Sequence, residues 1–159
     1  MGPKVMAAIR DMLTSRRVLC LAATIDGEPA ASLLPFAVAS DLQSVYVQAS
    51  TLAKHSRALE AGARVSILVH GLDTEDVDPL QVPRLTIQAV VEPLVRETDE
   101  FNAASRVFLA RLPSAEMTLG LGDFTLYRLR FGQGRFVAGF AQAYDVAPDT
   151  FQEMARMGL

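Results

Sequence analysis

Two apolar runs separated by a polar turn make up the stretch "RRVLCLAATIDGEPAASLLPFAVAS", residues 16–40. Both runs favour β-strands, and the Asp-Gly pair between them is typical of a tight hairpin turn. We therefore predict antiparallel strands over 16–25 and 30–40. The first is apolar on both faces, which predicts a buried strand. Pro35 cannot donate to a β-ladder, so the second strand should have a bulge or an open edge there.

The rest of the chain continues this antiparallel plan and adds helices. Further strands are predicted over 44–49, 64–71, 84–95, 123–131 and 135–140, and helices over 3–14, 51–61, 98–112 and 148–157. The acidic segment 72–83 predicts a loop, and the "GQG" at 132–134 predicts a turn. Successive strands joined by short turns favour a single mainly β domain over 1–159, an antiparallel barrel with helices at its ends.

Composition excludes several classes of protein. The chain has 159 residues, half of them apolar, a mean hydropathy of +0.23 and a net charge of −3. A nucleic-acid partner is not expected because such proteins carry a basic face. No apolar run approaches the length of a membrane span, and no signal peptide is evident. With one cysteine, Cys20, no disulfide can form within the chain, and we predict a cytoplasmic protein.

Motifs for direct side-chain chemistry are weak. Cys20 lies in the middle of a predicted strand and is interpreted as structural, and no G-x-S-x-G segment occurs. The two histidines, His55 and His70, do not form a metal-binding pattern, so no metal site is predicted. No residue stands out as a general acid or base, and we assign no catalytic side chain.

The segment "STLAKHSRAL", residues 50–59, is the strongest candidate for ligand binding. Ser50 or Thr51 can cap the predicted helix and leave amide donors free. Lys54 and His55 follow near a helix start, where cations are normally disfavoured. A bound phosphate would reverse that preference. The alternative interpretation is an ordinary helix cap followed by basic side chains that face solvent.

Four stretches together resemble the flavin-binding split-barrel superfamily related to pyridoxamine 5′-phosphate oxidase, and most closely its haem-utilisation branch. They are "LAATIDGEPAASLLPFAV" (21–38), "VYVQASTLAKHSRALEAGARVSILV" (45–69), "RLTIQAVVEPL" (84–94) and "FLARLPSAEMTLGLGDFTLYRLRFGQGRFVAGFAQAYDV" (108–146). The resemblance implies a six-stranded antiparallel split β-barrel of the flavin-reductase type. It also implies a homodimer that binds FMN in clefts between its subunits.

The resemblance also implies a set of flavin-binding positions. Lys54 with His55 would hold the phosphate, and Arg84 would reach the flavin. The further positions implied are Ser50 and Thr51 at the helix start, Ser32, Leu33, Leu34 and Pro35 along the ring, and the segment 136–140 ending at Phe140. FMN would then carry the electron or hydride chemistry, with a small-molecule substrate or electron donor as partner.

The chain departs from both branches of the superfamily. Ser32 and Ala37 stand where the oxidases commonly have basic phosphate ligands, and Val137 stands where they have Trp. Haem-degrading members use a histidine near the C-terminus, and residues 141–159 contain none. Haem would therefore need His55, His70, Tyr144 or a partner subunit.

Three functions remain open from the sequence. The first is an FMN-dependent oxidoreductase, and the second is a haem-binding or haem-degrading protein on the same fold. The third is a split barrel without a cofactor that acts as a small-molecule sensor or an assembly module. A visible absorption spectrum is the observation that separates them.

Overall fold

A computed structural model of the chain describes residues 1–158. The helices are α1 (Pro3–Ser15), α2 (Asp99–Arg111), α3 (Glu116–Leu119) and α4 (Pro148–Arg156), with 3₁₀ turns at Lys54–Ala58, Pro79–Gln81 and Pro113–Ala115. The strands are β1 (Val18–Ile25), β2 (Glu28–Val38), β3 (Ser44–Ser50), β4 (Arg64–His70), β5 (Arg84–Pro93), β6 (Phe124–Gly139) and β7 (Gln142–Val146).

Six strands close into an antiparallel barrel, as predicted. The order β3-β2-β1-β4-β5-β6 is completed by pairing of β3 with β6, and β7 extends β6 as a hairpin. Closure removes most of the free strand edges that a sheet of this length would otherwise expose. The class is therefore α+β, a six-stranded antiparallel barrel with additional helices.

The barrel interior is filled by apolar side chains that alternate along the strands. Val45 and Val47 of β3 point inward and are fully buried, and helices α1 and α4 add Ile9 and Phe151 to the same core. Tyr46 points the other way, into a second cluster beneath α2. Tyr46 and its valine neighbours therefore face opposite sides of β3.

The β1–β2 hairpin has the predicted tight turn. Asp26 and Gly27 adopt positive φ values of 55° and 82°, and the strands then pair without a register shift. Beyond the turn, β2 pairs with β3 only over Phe36, Ala37 and Val38, so residues 28–35 have no second neighbour strand among residues 1–158. Pro35 therefore lies where an open edge begins, and no bulge is needed to accommodate it.

The prediction that β1 is buried on both faces is wrong. Leu19 and Leu21 are buried in the barrel, but Val18 on the opposite face is 46% exposed and Ala22 is also exposed. One face of β1 thus presents apolar side chains outside the barrel. An apolar outer face of this kind is typical of a surface that a partner covers.

The predicted helix over 51–61 is also wrong. In this segment the structure has a 3₁₀ turn, Lys54–Ala58. The residue before it, Ala53, makes no side-chain hydrogen bond that caps the turn. The Ser56 hydroxyl donates to the carbonyl of Ser50, and such a side-chain bond to backbone competes with helix formation. Burial of Leu59 then fixes the end of this turn against the barrel.

The predicted turn at "GQG" is wrong as well, because β6 runs through it as one strand of 16 residues. The pairing with β5 shifts register between Ile87 and Ala89, so this part of β6 holds a β-bulge. At Gly134 a Cβ atom would lie 2.2 Å from the Thr86 carbonyl oxygen, so only glycine allows this approach. Strand β7, which follows, was missed from the sequence.

The long helices agree with their sequence signals. Thr98 caps α2, since its hydroxyl oxygen accepts the Phe101 N–H at 3.2 Å, and Ala104 and Phe108 are buried on one side. Among residues 1–158, no helix combines the length and the apolar content needed to cross a bilayer.

Candidate functional site

The outer face of strands β2, β1, β4 and β5 is largely apolar or made of small residues. Side chains directly opposite each other in antiparallel pairs share a face, so the register defines the rows. One row holds Leu33, Cys20, Leu68 and Thr86, and the next holds Ala31, Ala22, Ser66 and Gln88. The small residues leave a shallow depression of about 470 Å³ between β1, β4 and β5.

His70 and Arg84 stand side by side at one end of this face. They are paired across β4 and β5, and Arg84 in turn pairs with Val137 of β6. His70 lies two residues beyond Leu68, whose partner in β1 is Cys20. The same register continued for two residues brings His70 level with Val18, at the start of β1.

The imidazole of His70 has a defined orientation. Its Nδ1 lies 2.6 Å from the carbonyl oxygen of Gly71, and a carbonyl can only accept, so Nδ1 carries the proton. The Gly71 N–H donates to the Pro83 carbonyl at 2.7 Å. A Cβ atom at Gly71 would come within 2.9 Å of the Pro83 ring. The carbonyl that holds His70 is therefore itself fixed in place.

Arg84 is held by the loop that precedes it. Its Nη1 donates to the carbonyls of Leu80 and Val82, each at 3.3 Å, and the residue is half-buried. Both acceptors are neutral, so the guanidinium keeps its positive charge without a carboxylate partner among these bonds. A guanidinium beside an apolar surface is suited to binding a carboxylate or phosphate.

Large apolar side chains are exposed around this pair. The exposed fraction is 66% for Leu72, 60% for Leu80 and 69% for Phe140, and the Phe140 N–H donates to the Gln81 side chain. On the outer face nearby, Val18 and Leu33 are also exposed. An imidazole nitrogen, a guanidinium and exposed apolar side chains are therefore available at the same end of the sheet.

The segment around Ser50 offers less to an anion than its sequence predicts. The Ser50 hydroxyl donates to the Asp123 carboxylate at 2.8 Å and accepts the Leu52 N–H, so its proton is not available to a phosphate. Asp123 also places a carboxylate directly beside Ser50. Arg57 forms an ion pair with Asp26 at the tip of the β1–β2 hairpin instead. Thr51 and Lys54 are exposed to solvent.

His55 is half-buried on the 3₁₀ turn. Burial lowers the pKa of His55 below its ordinary value of 6.5, because the charged ring loses hydration. The imidazole is therefore mainly neutral at pH 7, and it adds little positive charge for a phosphate. Of the predicted phosphate-binding pair, Lys54 and His55, only the exposed lysine remains as a cation for a phosphate.

The predicted flavin-binding residues fall into two groups within one chain. The 3₁₀ turn packs against β1, β2 and β3, beside the open edge of β2. Arg84 lies on β5, three strand spacings from β2, which corresponds to about 14 Å. Leu33 and Pro35 face outward and Ser32 is half-buried, whereas the side chain of Leu34 is buried in the barrel.

Two neighbours important to these groups were missed from the sequence, Asp123 beside Ser50 and His70 beside Arg84. Both juxtapositions depend on pairing between distant segments, and no local motif signals them. Within residues 1–158, no three His, Cys, Asp or Glu side chains lie close enough together to hold a metal ion.

Comparison with known proteins identifies relatives. No protein-family model matches the chain. It is 32% identical to the haem oxygenase HutZ of Vibrio cholerae, over 94% of this chain and 85% of that protein. The crystal structure of HutZ, described as a haem storage protein, superposes with a TM-score of 0.72 at 28% identity, covering 84% of this chain and 93% of that one.

Two further solved structures are similar to this chain in fold. A haem-binding protein from Mycobacterium smegmatis has a TM-score of 0.84 at 26% identity and 96% coverage of this chain, which spans 62% of that protein's length. A pyridoxinephosphate oxidase family protein from Clostridium acetobutylicum has a TM-score of 0.68 at 12% identity, covering 95% of this chain and 99% of that one. At that identity the likeness shows the fold alone.

Proposed function

The chain belongs to the haem-utilisation branch of the split-barrel superfamily related to pyridoxamine 5′-phosphate oxidase, and from that premise we propose that it binds haem. The observation that carries the proposal is the pairing of His70 with Arg84 at the end of an apolar outer face. Haem requires an apolar surface for its ring, cations for its propionates and a ligand for its iron. The residues at this end of the barrel supply all three kinds of group.

The side chains present fit these requirements individually. Leu72, Leu80 and Phe140 provide exposed apolar area that a macrocycle would remove from water. Arg84 offers a guanidinium whose backbone partners are neutral carbonyls. When bound, haem would supply iron chemistry toward small molecules such as oxygen, while the chain binds and orients it.

FMN is less well supported than haem as the cofactor. The relatives at 32% and 26% identity are described as haem proteins. The protein of the pyridoxinephosphate oxidase family is similar only in fold, at 12% identity. The candidate phosphate site has an acidic neighbour, Asp123, and a 3₁₀ turn too short to give a strong helix dipole. An FMN-dependent oxidoreductase therefore becomes the second hypothesis.

We further propose that the chain forms a homodimer through the outer face of β2, β1, β4 and β5. Val18 and Leu33 are exposed apolar residues on this face, and the small residues Ala22 and Ala31 lie beside them. A flat apolar face made of small residues allows a second copy to approach closely, in a self-complementary contact. Such a contact would also bring residues of two chains together beside Arg84.

Haem binding is tested by titrating the purified chain with haemin and recording the Soret band. We expect a saturable spectral change with one haem per chain. Arg84→Ala should raise the dissociation constant several-fold, because a propionate loses a charged hydrogen-bond partner. Arg106→Ala, an exposed arginine on α2, is the matched control and should bind as the wild type does.

A parallel titration with FMN separates the two hypotheses. Flavin absorbance and fluorescence report whether the chain takes up FMN at micromolar concentration. Saturable FMN binding together with an unchanged haemin spectrum would contradict the haem proposal and restore the flavin one. A haemin signal that rises without saturation would also contradict it, because non-specific adsorption behaves in that way.

A further inference from the structure

We propose that His70, through its Nε2 atom, is the residue that would bind the iron when haem is bound to this chain. The inference rests on the proposed function and goes beyond it, since haem binding alone does not specify the ligand. It is based on the fixed tautomer of His70, on its place beside Arg84, and on the apolar residues around both.

The tautomer of His70 prepares the ring for a metal. Because Nδ1–H donates to the Gly71 carbonyl, the nitrogen that carries the lone pair in the neutral ring is Nε2, which points away from that bond. Metal-binding histidines commonly donate their other N–H to a carbonyl or carboxylate, which orients the ring and makes the ligand more basic. His70 already has this arrangement before any metal binds.

The support of this ring extends one residue further. Gly71 is held by its N–H bond to the Pro83 carbonyl and by contact with the Pro83 ring. Pro83 directly precedes Arg84, whose guanidinium is fixed by two carbonyls of the same loop. The imidazole and the guanidinium are therefore positioned by two backbone segments that are hydrogen-bonded to each other.

The other candidate ligands are placed less favourably. Tyr144 pairs with Phe136, which is fully buried, and their rings stack with centroids 6.5 Å apart on the barrel side of the sheet. His55 is half-buried on the 3₁₀ turn, beside the open edge of β2 and far from Arg84 across the sheet. His70 alone of these three lies exposed at the end of the outer face beside a cation.

The geometry also gives a direction for the ligand. The acidic segment from Asp73 to Asp78 follows His70 by a few residues and would repel propionates. Arg84, on the neighbouring strand, would attract them. A haem held by His70 would therefore have its propionates attracted toward Arg84 and repelled by the acidic segment.

The test compares haem complexes of the wild type, His70→Gly and His55→Ala. The readouts are the haemin dissociation constant and the iron–histidine vibration of the ferrous complex, measured by resonance Raman spectroscopy. We expect His70→Gly to lose the vibration and to bind haemin at least about tenfold more weakly. Added imidazole should restore an iron–nitrogen band, because a free imidazole can occupy the vacated position.

Each outcome has a distinct meaning. A band that persists in His70→Gly at wild-type affinity, or one that His55→Ala removes, overturns the assignment of His70 while haem binding stands. No saturable haemin binding by the wild type overturns the proposed function itself. Circular dichroism and thermal melting of each variant show whether it is folded, and His70→Gln replaces His70→Gly if the glycine variant is not.

Discussion

At the scale of single residues, the two histidines differ in what surrounds their rings. His70 is exposed and has one ring nitrogen bound to a neighbouring carbonyl. His55 is half-buried, and this burial lowers its pKa. The first arrangement leaves a lone pair available to a ligand, whereas the second makes protonation of the ring costly to the folded chain. The same residue type thus has different chemistry at two positions of one barrel.

Burial of His55 predicts a measurable dependence of stability on pH. As the pH falls below 6.5, the unfolded chain takes up a proton at His55 that the folded chain does not, because its pKa is lower. His55 therefore does not reduce the free energy of unfolding above pH 6.5. Below pH 6.5 this free energy falls progressively as the pH drops to the lowered pKa of the folded chain.

The variant His55→Gln isolates this effect, since the carboxylates titrate equally in both proteins. Urea denaturation at about pH 8 and about pH 5 gives the free energy of unfolding of each. We expect the wild type to lose more stability than His55→Gln on acidification. An equal loss in the two proteins would mean that burial of this ring has no energetic consequence.

At the scale of elements, local pattern predicted most strands and helices correctly. The Asp-Gly hairpin is a local signal and is confirmed, and the cap at Thr98 and the alternation around Tyr46 are local features of the same kind. The 3₁₀ turn at Lys54–Ala58 was predicted as a longer helix, because the bond between Ser56 and the Ser50 carbonyl cannot be seen from residue spacing. In this segment a side-chain hydrogen bond outweighs the local helix propensity.

Local pattern was also misleading for β6, where it predicted a turn in place of a continuous strand. Glycines normally indicate a turn, yet Gly134 serves to bring β6 close to the backbone of β5. The difference depends on the partner strand, which lies more than 40 residues earlier in the chain. For the same reason, sequence alone could not place His70 beside Arg84, since their pairing spans the 72–83 loop.

The bulge in β6 gives a prediction about stability. In Gly134→Ala the new Cβ would lie 2.2 Å from the Thr86 carbonyl oxygen and 2.9 Å from the Ile87 Cα atom, both of them backbone atoms. Relief of this clash would disturb the β5–β6 ladder, and we expect the free energy of unfolding to fall by about 2–3 kcal/mol. Urea denaturation measures the change.

Gly122→Ala is the matched control, because a Cβ there would meet nothing within 4 Å. Its stability should remain within about 0.5 kcal/mol of the wild type. Equal stability of the two variants would contradict the close approach of β6 to β5 at Gly134.

At the scale of the whole molecule, closure of the barrel separates two surfaces. The 3₁₀ turn and the open edge of β2 form one, and the end of β5 with Arg84 and Phe140 forms the other, about 14 Å away across the sheet. The resemblance assigned both to one flavin site. Within one chain the two groups lie on different strands of the sheet, so a ligand that contacts both has to span this distance.

The proposed dimer gives the last prediction. Leu33 is 65% exposed on the outer face, and its position there is set by its pairing with Cys20 of β1. A carboxylate at this position would be buried without a partner if a second copy covered the face, which costs several kcal/mol. We therefore expect light scattering to give twice the chain mass of 17.2 kDa for the wild type and the single mass for Leu33→Asp.

Val95→Asp is the control for this experiment, because Val95 is 71% exposed, lies between β5 and α2, and belongs to none of the residue rows that define the outer face. It should remain dimeric. A monomeric wild type would contradict the dimer, and a dimeric Leu33→Asp would place the interface elsewhere. If Leu33→Asp is monomeric yet still binds haemin with the wild-type spectrum, the groups around His70 and Arg84 suffice within one chain. If the spectrum is lost with the dimer, the partner subunit completes the site.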